Sequence, residues 1–300
     1  DPDIWFHMAG GRWILQHGFP KLDPLSYPSA GQEYIDLHWV FQIFARAVHA
    51  IGREPGLVLM SCLAVTAAWL LAHHRARRHA PAGLAAVLTA LGAVLMSERM
   101  SPRPEILSFL FLALWCWLVD RRREGWGPAR WILPALMALW VNTEGIFVLG
   151  FLVLGAALLD APRDRRLWRT AAICAAATLI NPWFLEGATH PLVLFTRVNR
   201  SLPVYSQTIG EFRSPFQDEP LYPAIWLFRH VYLPLLPLAL LWLLLRGRRP
   251  RLGELLIVAA TTYLAVSARR NIALAPLLTV PVLARWIADG WAAKRRPEGA

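Results

Sequence analysis

Residues 129–160 read ARWILPALMALWVNTEGIFVLGFLVLGAALLD, two apolar runs broken by Asn142-Thr143-Glu144-Gly145. Taken whole, the stretch would pass for one long hydrophobic helix. Taken as 129–141 and 144–160, it predicts two helices joined by a tight turn, each short of the roughly 20 apolar residues that cross a bilayer. Polar residues at the ends of such helices must sit at membrane depth, which is tolerable where they line a watery cavity. Working outward, further apolar runs fall near 56–73, 82–97, 104–119, 167–180, 226–246, 252–268 and 271–288. The expected fold is therefore all-α, a polytopic transmembrane helical bundle of about nine helices over 56–288. An exoplasmic loop, 1–55, precedes the bundle and a cytoplasmic tail, 289–300, follows it.

Composition agrees. Of 300 residues, 56% are hydrophobic and 17% charged, against about 25% charged in a soluble domain. The formal charge of +11 would raise nucleic acid as a partner if the bases formed a stripe. Instead they lie in short clusters between apolar runs: Arg75/Arg77/Arg78, Arg121/Arg122/Arg123/Arg130, Arg163/Arg165/Arg166/Arg169, Arg246/Arg248/Arg249/Arg251 and Lys294/Arg295/Arg296. Every second connection is strongly basic, which marks those connections as cytoplasmic and speaks for a lipid bilayer, with no nucleic acid. Cys62, Cys116 and Cys174 each lie inside an apolar run, without metal-ligand spacing, and read as small buried hydrophobes. The chain opens inside a polar motif rather than on Met. We expect a piece of a longer protein, with at least one membrane helix ahead of Asp1.

The opposite face is defined by subtraction: 1–55, Ser97–Arg103, Asn142–Gly145, Asn181–Tyr222 and Ala268–Asn271. It collects Asp1, Asp3, His7, Asp36, His38, Glu98, Glu105, Glu144 and Glu211. Packing alone does not explain such segregation, so the active face is expected to be exoplasmic. Within the first loop, Ile4–His17 reads as an amphipathic helix weakened by Gly10-Gly11. A second starts near Asp36 and runs through Val48. Both suit the membrane interface, where Trp is favoured.

Three groups on this face could carry chemistry. In Asp1-Pro2-Asp3-x-x-x-His7, a helix starting at Asp3 stacks His7 one turn later. The carboxylate could take a proton from an attacking hydroxyl, or simply cap the helix. Arg99 and Arg103, with Arg269-Arg270-Asn271, break the positive-inside trend. Their planar forks suit a lipid phosphate, unless they pair with Glu98, Glu105 or headgroups. Glu98, Glu105 and Glu144 are acids at membrane depth, a functional signal by default. Glu105 follows Pro104 and suits a first-turn dipole role, which leaves Glu98 as the second carboxylate. A divalent metal between Asp3 and Glu98 is conceivable, but the ligand set is too thin to assign one.

These pieces resemble a family. The opening Asp-Pro-Asp-x-Trp-x-His, then Gly11-x-Trp13-Ile14-Leu15, Asp23-Pro24-x-Ser26 and Asp36-x-x-Trp39, is similar to bacterial membrane glycosyltransferases of the GT-C fold. The branch is the one related to protein O-mannosyltransferases and lipid A aminoarabinose transferases. Ser101-Pro102-Arg103-Pro104-Glu105, Trp140-Val141-Asn142-x-x-Gly145, Asn181-Pro182 and Arg270-Asn271-Ile272 resemble later landmarks, so the likeness spans most of the chain.

The resemblance implies a GT-C-like bundle with two interfacial helices in the first exoplasmic loop. It also implies a polyprenyl-phosphate sugar donor, and a catalytic Asp just after the first membrane helix. The family acid falls on Asp3 with His7 behind it, and Asp1 is the other match. One departure is Glu144, where the family pattern leads one to expect His. The expected activity is inverting transfer of a sugar to an exoplasmic lipid, glycan or protein hydroxyl. It would occur at a bacterial inner membrane, on the periplasmic side, with Asp3 as general base. Arg99, Arg103, Arg269 and Arg270, together with Asp36, His38, Glu105, Asn142, Glu144 and Asn271, would hold the substrates. A transporter or lipid flippase, or an inactive assembly partner, are the alternatives. A flippase would need polar groups along the bilayer midplane, where this sequence has few.

Overall fold

The structure, a computed structural model, describes residues 3–29, 31–200, 204, 208–217 and 222–292. Asp1 and the 294–296 basic cluster lie outside those residues. The described residues are helical throughout, with one isolated antiparallel bridge between Leu22 and Glu33 and no strand. Eleven helices are used below: α1 Asp3–His17, α2 Trp39–Arg77, α3 Ala82–Met96, α4 Pro104–Asp120, α5 Ala129–Val141, α6 Val148–Asp160, α7 Arg165–Ala177, α8 Phe184–Arg200, α9 Pro223–Leu245, α10 Leu252–Ser267 and α11 Leu274–Trp291.

Among the described residues, four helices are long and apolar enough to cross a membrane: Trp39–Arg77, Ala82–Arg99, Pro223–Leu245 and Arg269–Trp291. Of the nine expected spans, Ala129–Val141, Gly145–Asp160 and Leu252–Ser267 appear as shorter apolar helices. The second helix expected in the opening loop forms the first part of α2, which is two helical segments, one before and one after Arg53, within Trp39–Arg77. The kink is at Arg53, whose φ of 51° and ψ of −150° leave helical space just before Pro55. The segment 181–222, read as a loop, contains α8.

The chain divides into two compact units, each assembled from two separate segments. The first comprises 1–68 and 99–205. Its core is aromatic. Trp115 and Trp140 are fully buried and meet edge to face, with centroids 6.0 Å apart. Each indole N–H finds an acceptor: Trp115 donates to the Gly150 carbonyl at 3.0 Å and Trp140 to the Ser108 hydroxyl at 2.8 Å. A buried indole needs such a partner. Gly150 is small for a reason, because a Cβ there would lie 3.1–3.3 Å from Met137, Trp115 and Trp140. The helix α1 lies on α2 through Gly10 and Gly11, and a Cβ on Gly11 would fall 2.5 Å from the Gln42 carbonyl oxygen.

The second unit comprises 69–98 and 206–300. Its hub is α11, which is buried along nearly its whole length and packs against α3, α9 and α10. Glu254 on α10 meets Arg285 through two hydrogen bonds. It also accepts from the Trp286 indole at 2.9 Å, while Arg285 reaches Asp289 at 2.8 Å. Tyr232, in a one-turn π-helical segment Phe228–Tyr232 of α9, bonds the Thr279 hydroxyl of α11.

Candidate functional site

Within the first unit, α1, the start of α2, the approach to α4 and the 142–145 turn bring their polar residues together. Asp3 opens α1, with its carboxylate 57% exposed and Oδ2 3.1 Å from Arg103 Nη2. Arg103 sits in extended backbone immediately before Pro104, which fills the first position of α4. Extended geometry is what a residue ahead of proline prefers, and it turns the guanidinium out of the helix.

One turn along α1 from Asp3, the His7 ring lies 5.5 Å from that of His38 and 5.4 Å from Phe41, centroid to centroid. Its Nδ1 is buried without a hydrogen-bond partner among the described residues. His38 lies between two carboxylates, with Nδ1 3.7 Å from Asp36 Oδ1 and Nε2 3.9 Å from Glu144 Oε1. Asp36 is 2% exposed, and its Oδ1 also accepts the His38 backbone N–H at 2.9 Å. Glu144 Oε2 accepts the Ile146 N–H at 2.7 Å and the Ser108 hydroxyl at 3.4 Å. A hydrogen-bonded chain thus runs from the Trp140 indole through Ser108 to Glu144, ending against His38.

These surroundings separate the two histidines. For His38, burial works against the charged form, but Asp36 and Glu144 outweigh it and raise the pKa to about 9. For His7, burial and then the His38 charge lower the pKa to about 4. At neutral pH the pair is one imidazolium and one neutral ring. The sign of the linkage follows. A raised histidine stabilises the fold fully below its ordinary value near 6.5, and that contribution is lost as pH rises from there through about 9. A lowered histidine contributes above about 6.5, and the contribution is lost as pH falls through about 4. The thermal midpoint of the wild-type chain in detergent should therefore exceed that of His38→Gln most at about pH 6, with the gap closing by about pH 10. A gap that does not change with pH would show that His38 carries no such charge.

Asn142 has a fastening role. Its Oδ1 accepts the Trp39 indole N–H at 2.7 Å, and its Nδ2 donates to the carbonyls of Ala138 and Ile180, both at 2.7 Å. Its own carbonyl accepts the Val40 N–H at 3.1 Å. One side chain so joins the start of α2, the end of α5 and the segment after α7, and it fixes Glu144 two residues on.

Compared with known proteins, the chain matches no family model and no curated protein.

The remaining candidates are distributed differently. Arg99 and Glu105 are both buried and pair with each other, Nη2 to Oε1 at 2.5 Å. That is the ion pair weighed above as the alternative to phosphate binding. Glu98 is exposed and belongs to the second unit. So do Arg269, Arg270 and Asn271: the Arg269 N–H donates to the Arg213 carbonyl at 2.9 Å, Arg270 pairs with Glu211 at 3.3 Å, and Asn271 Nδ2 donates to the Leu264 carbonyl at 3.0 Å. Among the described residues, no group of three His, Cys, Asp or Glu could hold a metal ion.

Sequence reasoning missed two participants, Ser108 and His190, and the hydrogen-bonding part of Trp140. Ser108 and the Trp140 indole N–H sit in apolar runs and gave no polar signal. His190 lies on α8, and the charge of His38, after burial and Arg197, contributes to lowering its pKa. Its neighbour Pro191 approaches Gly145, where a Cβ would lie 3.5 Å from the proline ring. Pro191 lies inside α8, a residue type that in sequence argues against a helix.

Proposed function

We propose that the chain is an integral-membrane glycosyltransferase of the GT-C kind, acting with inversion on a polyprenyl-phosphate sugar. The observation that carries this reading is the Asp3 carboxylate beside the Arg103 guanidinium, with His7 and the His38 clamp in the same unit. A carboxylate that can take a proton and a fork-shaped cation that can hold a phosphate are the two groups such a transfer needs side by side. The acceptor hydroxyl oxygen attacks the anomeric carbon, and its proton passes to Asp3. The bond from that carbon to the phosphate oxygen breaks, and the phosphate leaves with the electron pair beside Arg103, whose charge stabilises it. His7 Nδ1 offers the substrates a buried hydrogen-bonding atom. Asp36 and Glu144 orient the charged His38.

Four apolar helices support the membrane setting, and the arginine-rich connections support a cytoplasmic side opposite the site. The apolar side chains Phe184, Leu185, Leu192 and Phe195 of α8 are exposed, as expected of a helix lying in the interface alongside α1.

The test is Asp3→Asn in membranes supplied with labelled polyprenyl-phosphate sugar. Transfer should fall by roughly 10²–10⁴-fold. Arg103→Gln should weaken donor use, while Arg99→Gln acts through stability. Unaltered transfer by Asp3→Asn would sink the assignment.

A further inference from the structure

We propose that a pocket between the arginine-rich ends of α5 and α7 binds the phosphate headgroup of an anionic phospholipid. The inference rests on the membrane setting alone and is independent of the transfer reaction. The cavity has a volume of about 500 Å³, within the roughly 300–1,000 Å³ of small-molecule sites. Buried Trp126 and Thr170 line it, while Arg130, Arg166 and Arg169 stand exposed around it. The turn that carries Trp126 is made by Gly125 and Gly127, both at positive φ.

The charge in this pocket is uncompensated. Among the described residues, no carboxylate pairs with any of these three guanidiniums, and Arg130 lies over the Trp131 ring at 5.6 Å. The nearest acid in sequence, Asp164, turns its Oδ1 onto the Arg166 and Leu167 backbone N–H groups at 2.9 and 3.1 Å, capping α7. Three planar forks around one cavity suit a phosphate oxygen cluster better than three ammonium groups would.

The neighbouring surface distinguishes a lipid from a soluble anion. On the same two helices, Trp131, Ile132, Trp168 and Ile173 are exposed, so apolar surface begins where the arginines end. That is the profile of an amphiphile, with a headgroup held at the membrane boundary and its tails along α5 and α7. A cluster that served only to set topology would need no cavity and would be interchangeable with any other arginine-rich turn.

The experiment measures binding of tail-labelled phosphatidylglycerol and phosphatidylcholine to the full chain in nonionic detergent. Wild type should prefer phosphatidylglycerol by at least about tenfold. The preference should vanish in R130Q/R166Q/R169Q and persist in R246Q/R248Q/R249Q, which removes the same charge elsewhere. Each single pocket variant, less prone to misfold, should lower the preference by about fivefold. Millimolar inorganic phosphate should leave the lipid bound. The proposal is overturned if the single pocket variants keep the full preference, if the control triple loses as much as the pocket triple, or if phosphate alone displaces the lipid and so marks a soluble-anion site.

Discussion

Gly11→Val should release α1 from the first unit and abolish the proposed transfer together with it. A Cβ at this position falls 2.5 Å from the Gln42 carbonyl oxygen and 2.8 Å from its carbon. Those are backbone atoms inside α2, so no rotamer change relieves the clash, and valine adds two methyl groups beyond that Cβ. Overpacking of this kind costs about 1–3 kcal/mol where side chains can give way, and more where they cannot; we expect at least ~3 kcal/mol here. Because α1 carries both Asp3 and His7, the loss of activity should be complete, whereas Asp3→Asn leaves the fold in place. Gly155→Ala is the control. It lies within α6 with nothing within 4 Å of its added Cβ, and should stabilise by about 0.5–1 kcal/mol. Scanning fluorimetry in detergent, with limited proteolysis of the segment after His17, reads both. A Gly11→Val chain as stable as wild type would refute the packing of α1 on α2.

The second large effect is in the other unit. Arg285→Met leaves Glu254 buried against the Trp286 indole with its guanidinium partner removed. Breaking a buried ion pair by deleting one member costs about 3–5 kcal/mol, because the remaining charge stays desolvated. Replacing both with apolar side chains of similar volume is often neutral or better. Glu254→Leu combined with Arg285→Met should therefore recover most of what Arg285→Met loses. A double variant as unstable as the sum of the two singles would show no coupling between the two positions and would refute the stranded-charge account. Both residues belong to the second unit, so the transfer proposed for the first should be unaltered per folded molecule.

Much of this architecture was legible from periodicity and punctuation. The Asn142–Gly145 interruption predicted a turn between helices, and α5 ends at Val141 as α6 begins at Val148. The Ile4–His17 helix appears as Asp3–His17. Less legible were features that depend on what lies across from a residue. Gly10-Gly11 read as a weak point of α1, yet these glycines are the surface through which α1 contacts Gln42. Propensity counts only the intrinsic backbone cost and misses the gain from close approach.

The polar candidates divide for the same reason. Asp3, His7, Asp36, His38, Arg103 and Glu144 gather in one unit, whereas Arg99 and Glu105 answer each other's charge and Asn142 is wholly occupied in joining three segments. Spacing along the chain marks which residues have chemical potential. It does not say which of them have already been satisfied by a neighbour. Ser108 shows the converse: its hydroxyl, fully buried in an apolar helix, connects the aromatic core to Glu144.

Each compact unit is built from two separated stretches of chain, and this sets an order of events during biosynthesis. The segment 69–98, which contains α3, emerges before 99–205 completes the first unit, and its partner α11 ends only at Trp291. At about 5–20 residues per second, α3 waits roughly 10–40 s for that partner. Through that interval α3 has only the end of α2 against it, where His73 meets Thr89 at 3.2 Å and Trp69 lies over Gly92. Its text, Ala82–Met96, contains no charged residue, so in the membrane setting proposed above an apolar surround could stand in for α11 until α11 is made.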